Sequence, residues 1–299
     1  MQKNSRAFSL IELSIVILII GIIIAGVTQG SRLVRQFKLT SAQTLTKSSP
    51  VASIKDLSVW FEPSLEDSFI TSETEDGATL TQWNNNNPQS SEKLLLAVDW
   101  LEWDGSLISY SESGGVNGLP SLYIGNDSRA YFALKTSENC CTALPQSTFT
   151  TFVVYKTNDP DSYLKVWNDG AGNINYRWEF VIGENDPLVR SAYVGGNARP
   201  SVDFEGGSTS VGASEIASYV LSNSALNLYI NGENANGISA TPINITVLNN
   251  GYFGIYGYRV YVSELIVFNR KLKNEERQSV EEYLGKKYGI KVSKTGPAV

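Results

Sequence analysis

Histidine is absent from all 299 residues, which removes Ser-His-Asp and Cys-His catalysis and every His-containing metal site. Cysteine is almost absent. The only two, Cys140 and Cys141, are adjacent, and a bridge between neighbours makes a strained ring that closes no useful loop. They read as free or weakly structural thiols in a loop, with a vicinal disulfide that stiffens a turn as the alternative. Cations are also in short supply: 24 Lys and Arg face 30 Asp and Glu, for a formal net charge of −6 and no dense basic cluster. Phosphate neutralisation needs cations, so this balance argues against nucleic acid as the main partner. The short basic groupings, 32–38 and Lys286-Lys287, are more simply a juxtamembrane flank and the end of a helix. Proline does not occur between residues 8 and 47.

What the chain does have is a long apolar stretch at 8–27, FSLIELSIVILIIGIIIAGV, carrying one carboxylate, Glu12. A charge in a membrane helix costs about 2.5–3.5 kcal/mol by insertion scales, so a partner that neutralises Glu12 is the natural compensation. The preceding residues, MQKNSRA, hold Lys3 and Arg6 and no acid. By the positive-inside rule they stay cytoplasmic, which sends the residues after Val27 across the membrane. A secretory signal peptide would place its small cleavage residue after the apolar core. Here Ala7 stands before it, and Ala25-Gly26-Val27 is the nearest thing to a later site. A plain anchor would leave Glu12 as an unexplained burden.

The basic leader, Ala7 and then Phe8-Ser9-Leu10-Ile11-Glu12 resemble the class III signal of type IV prepilins and pseudopilins. That resemblance implies cleavage between Ala7 and Phe8 by a prepilin peptidase and N-methylation of Phe8. It also implies that Glu12 pairs with the terminal amine of a neighbouring subunit during assembly. Two opposite charges in a water-poor fibre core are tolerable only when paired, so the physics agrees. Loss of the leader removes Lys3 and Arg6 and takes the net charge from −6 to −8. Ala7 stands where the family usually has glycine, and Gln29 where many major pilins have proline.

The apolar positions Leu33, Val34, Phe37 and Leu45 continue a loose helical spacing until Ser48-Ser49-Pro50 ends it. The expected organisation is a leader at 1–7, a transmembrane and stalk helix at 8–50, a β-sandwich at 51–292 and a frayed tail at 293–299. A helix of about 40 residues is near 60 Å long, and its first half suits a bilayer of roughly 30 Å. Gly21, Gly26 and Gly30 allow close helix approach, or are ordinary membrane-helix glycines.

Beyond residue 51, short β-prone runs alternate with Asn, Gly, Ser and Pro clusters, the pattern of a mainly β fold. Expected strands are 57–61, 119–124, 149–155, 176–182, 188–193, 216–221, 227–230, 251–255 and 258–268. Asn231-Gly232 reads as a hairpin turn, since both residues accept positive φ. Residues 84–87 followed by Pro88 read as a loop. A helix is expected at 274–288, with Val280, Tyr283, Leu284 and Tyr288 as its apolar face and Gly289 as its stop. Several segments resemble the concanavalin A-like, LamG/jelly-roll group: Ser58-Val59-Trp60-Phe61, Leu80-Thr81-Gln82-Trp83-Asn84, and 227–232. So do 251–254, the run 264–270 and the helix ending at 283–290. The resemblance implies a final strand leading into a short helix packed on the sandwich; Lys273 stands where relatives often carry a serine cap.

Glycoside hydrolysis needs only two carboxylates, and related glucanases carry theirs along one strand. The nearest approaches here are 73–76, which reads as a turn before Gly77, and Asp203-Phe204-Glu205; neither looks like part of a strand. The head is therefore read as non-enzymatic. Aromatic rings can stack on the apolar C–H face of sugars. Trp60 and Trp178 fall in strand patterns and read as core, which leaves Trp100, Trp103 and Trp167, nearer loops, as the ligand-binding candidates. No cofactor is called for; calcium is the one ion the resemblance allows, on the loose oxygen clusters Asp159/Asp161 and Asp169/Asn173, where solvated turn carboxylates are the simpler reading.

The combined expectation is a minor type IV pilin or pilin-like subunit displaying a lectin-like head for adhesion. Its partners would be prepilin peptidase, other pilin or pseudopilin subunits, the inner membrane, and a glycan or surface-protein ligand. It would cross the bacterial inner membrane once, with the head periplasmic or outside the cell in a pilus. The alternatives are a type II secretion pseudopilin and a membrane-tethered carbohydrate-active enzyme.

Overall fold

A computed structural model describes residues 10–90, 94–98, 108–125, 131–135, 148–169, 177–182, 190–194, 201–203, 210–222, 225–234, 238–239 and 252–294. The chain divides between Ser41 and Ala42 into two compact units. Helix α1, Leu10–Lys47, runs 38 residues without proline, about 57 Å at the usual rise. It ends ahead of Pro50, whose ring disfavours helical geometry in the residue before it.

Among the described residues seventeen strands follow. The first are β1 (Leu57–Phe61), β2 (Gln82–Asn84), β3 (Leu94–Val98), β4 (Ile108–Ser111), β5 (Ser121–Ile124) and β6 (Tyr131–Lys135). Next come β7 (Phe149–Thr157), β8 (Tyr163–Asp169), β9 (Arg177–Ile182), β10 (Arg190–Val194), β11 (Ser201–Asp203) and β12 (Ser214–Ser222). The last are β13 (Ala225–Ile230), β14 (Glu233–Asn234), β15 (Ile238–Ser239), β16 (Tyr252–Tyr258) and β17 (Val260–Phe268), before helix α2 (Asn274–Tyr288).

These strands form two antiparallel sheets. The first has the order β14-β13-β12-β7-β17-β5-β4, with β1 also on β17 and β15 on β13; the second runs β11-β10-β9-β8-β16-β6-β3-β2. Their facing sides share one core, in which Phe61, Val153, Tyr155, Tyr219 and Leu265 meet Trp83, Leu164, Val166, Phe180 and Phe253. The head is thus a β-sandwich. A second core covers the other face of the first sheet, where Trp60, Phe152, Val154, Ile266 and Phe268 pack under Val280, Tyr283, Leu284 and Tyr288 of α2. Burial on both faces explains why β7 reads FTTFVVYKT rather than as an alternating strand.

Two bulges decide which side chain faces which core. Register shifts at Ser58 and Ser263 leave each serine without a cross-strand partner. Because side chains alternate, an extra residue reverses the alternation after it. Val260 and Val262 therefore share the inter-sheet core with Leu265 and Val267, and Glu264 turns toward α2 with Ile266 and Phe268.

Most expected strands fall on observed ones, with differences. Arg259, at φ 52°, separates β16 from β17 where one strand over 258–268 was expected. Strands β2, β3, β4, β6, β8, β11, β14 and β15 have no expected counterpart, being short or broken by polar residues such as the Lys165 and Asp169 of β8. Asp203, read as lying outside a strand, closes β11. The hairpin turn is as expected: Asn231 and Gly232 take φ 51° and 79°, and Ile230 pairs with Glu233 across them.

Helix α2 stops at Gly289, which is left-handed at φ 67°. Its start lacks the serine hydroxyl that Lys273 replaces. Instead the Glu276 carboxylate accepts the Lys273 N–H at 2.8 Å and both terminal nitrogens of Arg270, each at 2.8 Å. The Arg270 hydrogen bonds, helped by the Lys273 N–H and by attraction to both cations, hold Glu276 at about 2, against some desolvation.

Candidate functional site

Three features outside ordinary packing stand out: the surface of α1, a buried charge cluster under α2, and a polar cleft. The first lies in the N-terminal unit. Thirteen Leu, Ile and Val side chains between Leu10 and Val27 are exposed, with Leu10 at 82% and Ile11 at 69%. Fully burying each is worth about 1.5–3 kcal/mol, so such a surface requires lipid or other helices around it. The hydroxyls of Ser14, Thr28 and Ser31 donate to the carbonyls of Leu10, Ile24 and Val27 at 2.7–2.8 Å. Those polar groups are satisfied inside the helix and suit an apolar medium. Glu12, in the first turn, is the one ionisable side chain of the stretch.

The second feature is in the head. Glu62, just after β1, Glu264 on β17 and Lys287 in the last turn of α2 are all fully buried. The Lys287 ammonium donates to Glu62 Oε1, in a short contact, and to Glu264 Oε2 at 2.9 Å. Glu264 also accepts from Trp60 Nε1 at 2.8 Å, Tyr283 Oη at 3.0 Å and Tyr288 Oη at 2.9 Å. The two oxygens of Glu62 take the backbone N–H groups of Ser64 at 2.9 Å and Leu65 at 3.1 Å. Thr46, near the end of α1, reaches Tyr283 Oη at 3.2 Å, so the network links both ends of the head's chain. Burial pushes Glu264 up from the ordinary carboxylate value, against the pull of Lys287 and with repulsion from Glu62 added. Burial and the two carboxylates also push Tyr283 and Tyr288 well up.

The third is a cleft of about 730 Å³ lined by Gln43, Lys47, Leu65, Glu66, Asp67, residues 84–88 and Ser90. Its asparagines are already committed. Asn84 Nδ2 donates to the Asp67 carbonyl at 2.6 Å, Asn87 Nδ2 to Leu57 O at 2.7 Å, and Asn85 Oδ1 accepts Trp60 N at 2.8 Å. Asn85 and Asn87 satisfy the backbone of β1 as a neighbouring strand would.

Of the residues singled out from sequence, Ala7, Phe8, Trp100, Trp103 and the Cys140-Cys141 pair lie outside the described residues. Trp167 sits in β8, two residues before its end, paired with Gly254 of β16 and Glu179 of β9. Asp159 and Asp161 face Arg259, whose Nη1 lies 3.1 and 3.5 Å from them. The Asp161 N–H, with Arg259 behind it, holds Asp159 below its usual value. Among the described residues no three His, Cys, Asp or Glu side chains gather as a metal site. Glu73 accepts from Thr81 N and Oγ1 at 3.1 and 2.5 Å, and Asp76 accepts Glu112 N at 2.9 Å, so both serve the turn before Gly77. Lys287 does stand at the end of a helix, as its sequence position implies, and is buried there between two acids. The available signal was its spacing: 280, 283, 284, 287 and 288 form one helical stripe.

The prokaryotic N-terminal methylation motif matches residues 2–28. No curated protein matches the chain. Among solved structures, domain 4 of AbnA, a GH43 extracellular arabinanase from Geobacillus stearothermophilus in complex with arabinotriose, is similar at 12% identity. That match covers 76% of this chain and 97% of the domain, with a TM-score of 0.51. The binding domain of botulinum neurotoxin serotype D aligns at 12% identity over 80% of this chain and 53% of its own, with a TM-score of 0.49. At 12% identity the likeness to the arabinanase domain speaks for the fold alone.

Proposed function

We propose that this chain is a type IV pilin-like subunit. A prepilin peptidase removes residues 1–7, Phe8 is N-methylated, and α1 joins a bundle of like helices with Glu12 paired to a neighbour's terminal amine. One observation carries the reading: the methylation motif at 2–28 lies on a helix whose apolar side chains find no cover and whose one charge through Val27 is Glu12. The anchor crosses the inner membrane once, and the head stands on the far side. Intact mass of the chain from its native membrane is expected to start at N-methyl-Phe8. A chain beginning at Met1, or past Val27, overturns the proposal.

The finer reading is a minor subunit with a concanavalin A-like, non-enzymatic head that adheres to glycan. The head's size supports "minor", since the unit from Ala42 to Val299 would crowd a fibre of identical copies. On a glycan array the full chain in detergent is expected to bind at least one sugar and to turn over none of a panel of β-glucans. Turnover without retention supports a tethered enzyme instead.

A further inference from the structure

We propose that Lys287 and Glu62 condense to an intramolecular amide, with Glu264 as the proton shuttle. The three groups are fully buried together, and the Lys287 nitrogen touches both carboxylates. A plain ion cluster is an awkward occupant of such a place, for every charge in it has lost its water. The amide forms from the neutral pair, which the ammonium reaches by passing one proton to the Glu62 oxygen it touches. Glu264, whose carboxyl burial pushes up from its ordinary value, lies against the same nitrogen.

The step then balances. Nζ of Lys287 attacks Cδ of Glu62, and a C–N bond forms. Charge that develops on the Glu62 oxygens meets the N–H groups of Ser64 and Leu65, already aimed at them. Glu264 gives its proton to the departing hydroxyl, the C–O bond breaks, and water leaves. The Glu264 carboxylate, 2.9 Å from Nζ, then takes the surplus proton from the nitrogen and is restored. Trp60, Tyr283 and Tyr288 hold Glu264 in place for both transfers. No oxidant or cofactor is needed. Fixed proximity lowers the barrier, since effective molarities for oriented groups reach about 10⁵–10⁸ M.

The bond would clamp the start of the head, just after β1, to its closing helix. Its chemistry does not depend on the pilin reading.

Intact mass of the full chain, denatured from detergent, is the test. The expected mass is one water below that of the processed sequence. Digestion should release a branched peptide joining the segments that hold Glu62 and Lys287, and Lys287 should resist acylation in denaturant. Glu264→Gln, which keeps the side chain's size but not its acidity, is expected to recover the missing water. A wild-type chain at full mass, or one whose lost water maps to other residues, overturns the proposal whether or not the variant folds. A linked and folded Glu264→Gln overturns the shuttle.

Discussion

Glu12→Ala is expected to be cleaved and inserted normally and then to be lost from assembled fibres. Insertion does not suffer, because removing a charge from an apolar helix lowers its cost by up to about 2.5–3.5 kcal/mol. Cleavage does not suffer either, since the basic leader and Ala7 are untouched. Assembly suffers because the terminal amine that cleavage creates would enter a water-poor bundle with no carboxylate to meet it. Breaking a buried pair by removing one partner costs about 3–5 kcal/mol, a loss of at least a hundredfold in association per subunit. Comparison of the variant in sheared fibres and in membranes, with Glu12→Gln alongside, reads the effect directly. Incorporation of either variant at the wild-type level overturns the role of Glu12. The apolar side chains from Leu10 to Val27 are unchanged in both, so a general loss of membrane affinity does not account for the result.

Lys287→Met is expected to lower the stability of the head by about 3–5 kcal/mol at neutral pH, because it leaves Glu62 and Glu264 facing each other in a dry core. For a domain of this size that is a fall in Tm of roughly 10 °C. Acid should relieve it. Burial raises Glu264 in the folded state, so its contribution is fully present below the unfolded glutamate value near 4.3 and is lost as pH rises through the folded one. Without Lys287, as ammonium or as amide, Glu264 faces a second free carboxylate with nothing between them, and the deficit should therefore shrink as pH falls toward 4–5. Thermal melts of the full chain in detergent across that window check the sign. A deficit that grows in acid, or a variant as stable as the parent at pH 7, would show that the lysine does not balance the two acids. Adding Glu62→Gln and Glu264→Gln to Lys287→Met should restore much of the loss, since a neutral cluster leaves no charge stranded.

The stretch from Phe8 to Val27 announced its role because the signal is local. An unbroken apolar run, one acid within it and a basic leader are properties of neighbouring residues, and the helix Leu10–Lys47 follows from them without help from the rest of the chain. The same holds for Asn231-Gly232, where backbone permissiveness alone makes the turn, and for Gly289, which ends α2 by taking a conformation that other residues avoid.

The head's chemistry was not legible in this way. Trp167 seemed close to a loop because Asn168 and Asp169 follow it, yet pairing on both sides keeps it within a sheet. Lys287 resembled any lysine at a helix end. What buries it is Glu62, 225 positions away in sequence, and Glu264, 23 away. Glu264 itself faces α2 only because a single unpaired serine at 263 reverses the alternation of β17. Sequence alone determined where the chain is anchored and where its turns and last helix fall, since those depend on adjacent residues. Only the tertiary structure decided which charges meet out of water, because burial depends on what distant segments place around a group.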